Sequence, residues 1–189
     1  MLIRLTVGMS GQNSTPLPIW IRMAIFCHHF DLAFRQVLYA MSIDADVPAR
    51  DRSDTRGGET LFASLTHAYD ALEDAEKARL KHLRCVHHWA QSLRNSDSRL
   101  ATAAEEQISP PVIHPLIRTH PANGRKSLYV GFHASHIDGM NEEKGRAELF
   151  RLLDFATQDR FVYAHKWRAG DLVVWDNPSL VHKSAPFMM

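Results

Sequence analysis

The sequence has little cysteine, almost no imbalance of charge and no long apolar run. Its two cysteines, Cys27 and Cys85, are too few for a disulfide framework and lack zinc-site spacing, which favours a reduced, cytoplasmic protein. Lys and Arg (22) nearly balance Asp and Glu (21), so the formal charge of +1 gives no reason to expect a nucleic acid as partner. No segment is apolar over the length of a membrane span or of a secretory leader, and we therefore predict no membrane partner.

The 189 residues, 45% of them apolar, are enough for one domain with a hydrophobic core, which we assign to residues 1–189. Residues 1–26 form an uncertain N-terminal segment, because residues 8–18 read as a loop and residues 19–26 could be a short strand or a helix. A strand is predicted within residues 32–43. We detect no internal repeat and no low-complexity tract.

The middle of the chain predicts two helices followed by irregular structure. Thr60 can cap a first helix that carries Leu61 and Leu65 on one side, and Asp74 can cap a second. Residues 84–89 have the composition of a strand. The polar residues 91–107 are expected to form a mobile connection.

The half after residue 110 consists mostly of predicted strands with one helix between them. Asn123-Gly124 is a strong hairpin signal, and Asn141 opens the helix. Residues 161–167 alternate like a strand, and a turn is expected to return the chain along residues 171–175. The predicted fold is mainly β with flanking helices, a sandwich or jelly roll.

Histidine is unusually frequent for a chain of this length, with twelve copies. In His29-Phe30-Asp31, the two outer side chains share one face of an extended strand and can reach one ion. With His182, they would complete the facial triad of two imidazoles and one carboxylate that holds Fe(II) and leaves coordination positions open. By spacing alone, both histidines are more simply ordinary surface or core residues, and His28 competes as a ligand.

Other polar and aromatic residues have alternative interpretations. His133 and His136, beside Asp138, could form a zinc site with a remote partner, although a structural or substrate-facing role suits them better. Trp167 and Trp175 are most simply core residues of facing strands. Three further residues are most simply solvated charges that flank the hairpin: Arg118, Arg125 and Lys126.

Longer blocks of sequence carry more information than these spacings. In order along the chain, they are residues 57–63 (GGETLFA), 68–72 (AYDAL), 118–121 (RTHP), 124–129 (GRKSLY), 131–139 (GFHASHIDG) and 170–177 (GDLVVWDN), followed by His182. In these blocks the chain resembles the iron(II)- and 2-oxoglutarate-dependent dioxygenases of the TauD/TfdA family, most closely the 2,4-dichlorophenoxyacetate branch. His28 and Phe30 depart from the family's Trp-His-Thr/Ser-Asp motif, and residues 50–56 form a charged insertion.

The resemblance implies an incomplete double-stranded β-helix in which His29, Asp31 and His182 hold Fe(II). It further implies 2-oxoglutarate as cosubstrate, with its distal carboxylate on Thr60, and O2 as oxidant. A small organic acid such as an aryloxyacetate would be hydroxylated, giving succinate and CO2. Its carboxylate needs a cationic partner, and the candidates are three residues: His133, His136 and Arg118. Asp176 and Asn177 could orient the metal ligands through hydrogen bonds. The sequence leaves a homo-oligomer open.

The resemblance also implies that both ends of the family domain are absent here. Family members carry an arginine downstream of the distal histidine that clamps the 2-oxoglutarate carboxylate. This sequence has seven residues after His182 (189 − 182), so the arginine would fall beyond Met189. A non-catalytic relative that retains at most metal or partner binding is therefore the alternative to a working dioxygenase.

Overall fold

A computed structural model describes residues 3–6, 35–39, 59–95, 99–167 and 171–185, the first two ranges and Leu172 by their backbone alone. In chain order, the elements are β1 (Ile3–Thr6), β2 (Arg35–Tyr39), β3 (Thr60–Ser64), α1 (Leu65–Asp70), α2 (Asp74–Leu80), β4 (Arg84–His87), α3 (Trp89–Asn95), α4 (Ala103–Ile108), β5 (Val112–Pro115), β6 (Ile117–Thr119), β7 (Lys126–Leu128), β8 (Ala134–Ile137), α5 (Glu142–Ala156), a 3-10 turn (Asp159–Phe161), β9 (Val162–His165), β10 (Asp171–Asp176) and β11 (Leu180–Ser184). No helix in the described ranges is both long and apolar enough to cross a membrane.

Two three-stranded antiparallel sheets face each other and hold the candidate site. One has the order β1-β10-β2 and the other the order β11-β3-β9. Between them lies a small core of Phe62, Val173 and Trp175, against which Trp167 and Leu180 pack. The alternation of β10, with Val173 and Trp175 both buried, turns every second side chain of that strand toward the other sheet.

A second, larger core lies beneath the helices. It is built on the sheet β5-β4-β8, the hairpin β6-β7, and helices α1 and α5. Leu149, Leu152 and Ala156 recur along one side of α5 at helical spacing and are buried. Asn141 caps this helix through a hydrogen bond from Lys144 N to its side chain, as the sequence predicts.

Several local predictions hold. The strand within residues 32–43 is β2, and the strand within residues 84–89 is β4. The Asn123-Gly124 turn joins β6 to β7, with Gly124 at φ 70°.

Four local predictions are wrong, and tertiary pairing explains the first two. Thr60 does not cap a helix: residues 60–64 form the central strand of a sheet, and Ser64 caps α1 instead by accepting from His67 N. Strands β9 and β10 do not pair with each other, because β9 joins β3 while β10 inserts between β1 and β2.

The other two errors concern α2 and the polar connection. Asp74 is the first residue of α2 rather than its cap, which is Glu73. Residues 91–107 contain most of α3 and α4 instead of a mobile connection. Helix α4 begins at a capping box in which Thr102 and Glu105 bond each other's backbone N–H groups, and the Thr-x-x-Glu spacing of this motif is present in the sequence.

Candidate functional site

His182 lies on β11 with its imidazole between the two sheets. It pairs directly with Phe62 of β3, and the two rings stack with centroids 6.0 Å apart. The Trp175 ring of the opposite sheet meets it edge-on at 4.8 Å. Burial among these rings lowers the pKa of His182 below its ordinary value, which keeps the imidazole neutral at pH 7, the form that binds metals.

Thr60 lies on the same inner face as His182. It precedes the buried Phe62 by two residues on β3, and its partner on β11 is Ser184, two residues beyond His182. Diagonal neighbours of this kind are about 7–8 Å apart. A buried hydroxyl and a partly buried imidazole therefore share one wall of the sandwich, with Thr60 only 6% exposed.

The hydroxyl of Thr60 is held by an indole. Trp167 follows β9 and donates its Nε1–H to Thr60 Oγ1 at 2.9 Å. The Trp167 ring meets His165 edge-on at 4.5 Å. His165 Nε2 in turn lies 3.2 Å from Asp171 Oδ2 on β10, and both side chains are almost fully buried.

Asp176 is the last residue of β10 and Asn177 the first of the turn to β11, and within the described part of the chain neither has a direct hydrogen bond or ion pair with His182. Asp176 lies 3.1 Å from His120 Nε2 and accepts a hydrogen bond from Ser179 Oγ. Asn177 accepts from Trp175 Nε1 at 2.8 Å and so holds the ring that packs on His182. These contacts support the turn and Trp175, and their effect on His182 is indirect.

The predicted substrate residues are separated in the structure. Arg118 lies 4.5 Å over the Tyr129 ring, which stacks on His87 at 4.3 Å. The backbone oxygen of His133 accepts from the backbone N–H of His88, the residue after His87, at 2.8 Å. His136 pairs with Val86 on the opposite face of its sheet from the buried Cys85 and Ile137.

The loop that carries His133 abuts β11. A Cβ on Gly131 would stand 3.7 Å from Val181 Cγ1, and Val181 is the residue before His182. Arg118 and His133 thus border a patch of aromatic and imidazole rings on the His87 side, whereas His136 faces away from it.

His29 and Asp31, the other two predicted metal ligands, lie outside the described residues. Within the part of the chain that the structure describes, no three side chains of His, Cys, Asp or Glu converge as metal ligands. The alternative zinc site at His133 and His136 therefore finds no third ligand there. As a neutral, partly buried imidazole beside a buried hydroxyl, His182 suits a metal that also carries a chelating cosubstrate.

Sequence reasoning missed the roles of Trp167, His165 and Asp171. A usable signal existed in the alternation of residues 163, 165 and 167, which puts three ring side chains on one face of the strand. The predicted pairing of β9 with β10 gave no reason to connect this alternation with Thr60, because His165 is opposite Thr60 only in the observed pairing of β9 with β3.

Comparison with known proteins gives this site a context. Residues 29–188 match the family model described as "Taurine catabolism dioxygenase TauD, TfdA family". The alpha-ketoglutarate-dependent 2,4-dichlorophenoxyacetate dioxygenase of Cupriavidus pinatubonensis is 40% identical over 157 residues, covering 82% of this chain and 53% of that protein. The (S)-phenoxypropionate/alpha-ketoglutarate-dioxygenase of Sphingobium herbicidovorans is 38% identical over 139 residues, covering 70% of this chain and 48% of that protein.

Solved structures agree with the sequence matches. The crystal structure of AAD-2 in complex with Mn(II) and N-oxalylglycine superposes with a TM-score of 0.72 at 38% identity, over 82% of this chain and 54% of that one. The chain thus spans about half the length of the curated relatives it matches. The strands that carry Thr60 and His182 form the inner wall of a jelly roll, and the chain belongs to the TauD/TfdA family of dioxygenases.

Proposed function

We propose that this chain carries the Fe(II)- and 2-oxoglutarate-binding part of a dioxygenase that hydroxylates a small aryloxyalkanoic acid and releases succinate and CO2. The observation that carries the proposal is the shared inner face of His182 and Thr60, diagonal neighbours on β11 and β3. Two of the relatives described above are named for alpha-ketoglutarate and an aryloxyalkanoate, which supports the substrate class.

His29, Asp31 and His182 would hold the metal. The pairing of β2 with β10 supports this set, because Arg35 is opposite Asp176, the residue that begins the turn to β11. Asp31 precedes Arg35 by four residues (35 − 31), and a stretch of four residues spans at most about 14 Å when fully extended.

The protein residues bind and orient the reactants. When bound, the iron would activate O2 at the expense of the keto acid, leaving succinate, CO2 and an oxidant able to hydroxylate a C–H bond. Thr60 would donate its hydroxyl proton to the distal carboxylate of 2-oxoglutarate. Phe62 and Trp175, both almost fully buried, pack on the His182 ring and shield these sides of it from water.

For the substrate, we propose that Arg118 and His133 receive the carboxylate beside the Tyr129 ring. A guanidinium and an imidazole are suitable partners for a carboxylate, and the neighbouring aromatic faces suit an aryl group. His136 faces away from this patch, and its predicted substrate contact stays a prediction. The cytoplasmic location also stays a prediction.

Anaerobic titration with Fe(II) and 2-oxoglutarate tests the metal site. We expect a metal-to-ligand charge-transfer band that is lost in His182→Ala and kept in His67→Ala, a control at an exposed histidine of α1. Aerobic incubation with 2,4-dichlorophenoxyacetate should then release succinate. Absence of the band in the unaltered chain would contradict the proposal. A band without release of succinate would show that the chain is a non-catalytic relative that binds the metal and 2-oxoglutarate.

Steady-state kinetics tests the substrate residues. Arg118→Gln and His133→Gln should raise the KM for the aryloxyacetate about ten-fold and leave the charge-transfer titration unchanged, since each removes one charge-assisted contact. Arg125→Gln is the matched control, because Arg125 pairs with Asp70 on the surface. Equal effects of all three substitutions would argue against the assignment.

A further inference from the structure

We propose that Trp167 is a positioning residue that aims the hydroxyl proton of Thr60 and thereby selects keto acids with a distal carboxylate. The proposal rests on the proposed function, in which Thr60 receives that carboxylate. It adds a residue that touches neither the metal nor the reacting atoms. Trp167 would act through one hydrogen bond, from its Nε1 to Thr60 Oγ1 at 2.9 Å.

The direction of that bond is fixed by chemistry. An indole N–H can only donate, whereas a threonine hydroxyl has one proton to donate and two lone pairs that accept. Because Trp167 occupies a lone pair of Thr60, the hydroxyl proton must point elsewhere. Thr60 is therefore presented as a donor, which is the role that recognition of a carboxylate requires.

The surroundings of Trp167 hold the indole in this pose. His165 is opposite Thr60 in the β3–β9 register, and its ring meets the Trp167 ring edge-on at 4.5 Å and 85°. Asp171 approaches His165 Nε2 at 3.2 Å from the opposing sheet, and both are 1% exposed. Two sheets thus converge on a single tryptophan, which has two side-chain torsions and little freedom once its ring is packed.

This arrangement predicts selectivity that depends on one end of the ligand. 2-Oxoglutarate ends in a carboxylate that can accept the proton of Thr60. 2-Oxopentanoate is also a five-carbon 2-oxo acid, but it ends in a methyl group, which cannot accept a hydrogen bond. Loss of the Trp167 N–H should weaken the binding of 2-oxoglutarate and leave the binding of 2-oxopentanoate unchanged. A general loosening of the site would weaken the binding of both.

The test is calorimetric titration of the Mn(II)-loaded chain under anaerobic conditions, where no turnover occurs. The variants are Trp167→Phe, Thr60→Val and the double substitution, with Trp89→Phe on α3 as a control for loss of an indole elsewhere. We expect Trp167→Phe to weaken 2-oxoglutarate roughly five-fold, as for one ordinary hydrogen bond, and to leave 2-oxopentanoate within two-fold. In the Thr60→Val background, Trp167→Phe should have no further effect.

A second replacement at position 167 separates the loss of the N–H from any disturbance of packing or folding. Substituting benzothienylalanine at position 167 keeps the shape of the ring and replaces the N–H by sulfur, and it should reproduce the result of Trp167→Phe. The proposal is overturned if 2-oxoglutarate binding is unchanged in both replacements, if both keto acids weaken equally, or if the effect persists without the Thr60 hydroxyl. If the unaltered Mn(II)-loaded chain binds neither keto acid, the proposed function fails and takes this proposal with it.

Discussion

His120 Nε2 lies 3.1 Å from Asp176 Oδ2, and this contact ties the β6–β7 hairpin to the turn that leads into the strand of His182. The other ring nitrogen, Nδ1, accepts from Ala122 N at 3.2 Å, so the proton is assigned to Nε2 and is donated to the carboxylate. Asp176 also accepts from Ser179 Oγ in the same turn. One imidazole therefore connects two segments that are far apart in sequence.

Replacing His120 by alanine should lower the free energy of unfolding by about 1.5–3 kcal/mol, because a hydrogen bond to a charged group is lost in a mostly buried setting. Urea denaturation measures this change. His120→Gln, whose amide can donate to Asp176, should recover part of the loss. A fully stable alanine variant would show that the hairpin is held by its other contacts.

A four-residue ionic network joins α2 to α5, and its contribution should depend on pH. The hydrogen bond from Arg79 and, further, the contacts with Arg151 hold the pKa of Glu76 at about 2, while Glu148 pairs with both arginines. A lowered carboxyl pKa contributes stability that is complete above about pH 4.5 and is lost as the pH falls toward 2.

Glu76→Gln should therefore cost about 1 kcal/mol at pH 7, a modest figure because the arginines are half exposed. The difference from the unaltered chain should vanish near pH 2. Urea denaturation across this range measures both. Asp154→Asn, an exposed carboxylate on α5, is the matched control and should change neither value.

Partly buried His87 predicts a second pH dependence, at milder acidity than that of Glu76. Burial, followed by the charges of His114, His133 and Arg118, lowers its pKa to about 3. The unfolded chain takes up this proton near pH 6.5 and the folded one resists it, so stability falls as the pH drops from 6.5 toward 3. One such group contributes up to about 1.4 kcal/mol per pH unit.

His87→Phe keeps a ring against Tyr129 and removes the titration, and it should flatten the decline between pH 6 and 4. Denaturation midpoints at several pH values measure the slope. His67→Asn, at an exposed position, should leave the slope unchanged. An unaltered slope in His87→Phe would assign the acid sensitivity to other groups.

Gly145 lies where α5 closely approaches β8. A Cβ at this position would lie 2.7 Å from the backbone nitrogen of Ile137, which cannot move aside as a flexible side chain could. Alanine would ordinarily stabilise a helix interior by about 1 kcal/mol over glycine. We expect the clash to outweigh this gain, so that Gly145→Ala lowers stability by about 1–2 kcal/mol in thermal or urea denaturation. Ser or Val should be worse still, and a stabilised Gly145→Ala would contradict the observed packing.

Features that depend on residues close together in sequence could be predicted, whereas features that depend on distant residues could not. The cap of α5 at Asn141 and the turn at Asn123-Gly124 were predicted correctly because each depends on a few adjacent residues. Thr60 was misread because its helix-capping chemistry is local, whereas its place in β3 depends on β9 and β11, which lie about a hundred residues away. The partner of a strand is set by long-range register, which residue patterns do not encode directly.

The candidate site shows the same division. His182 and Thr60 could be named from ordered blocks of sequence, and the structure brings both to one inner face. The contact of Trp167 with Thr60 could not be predicted, because it joins residues 107 positions apart through the pairing of two strands. His29 and Asp31 lie outside the described residues, and their role as ligands stays a prediction.

The pairing of β11 with β3 has a consequence for folding. Side chains alternate along a strand, so a slip of one residue would turn His182 outward and bring Val181 or Lys183 to the inner wall. A metal that binds through His182 stabilises only the correct alignment, by an amount that grows with metal concentration. With the proposed metal site, added metal would therefore favour the native alignment of β11 with β3. The apparent metal affinity would then rise with the fraction of molecules that have this alignment.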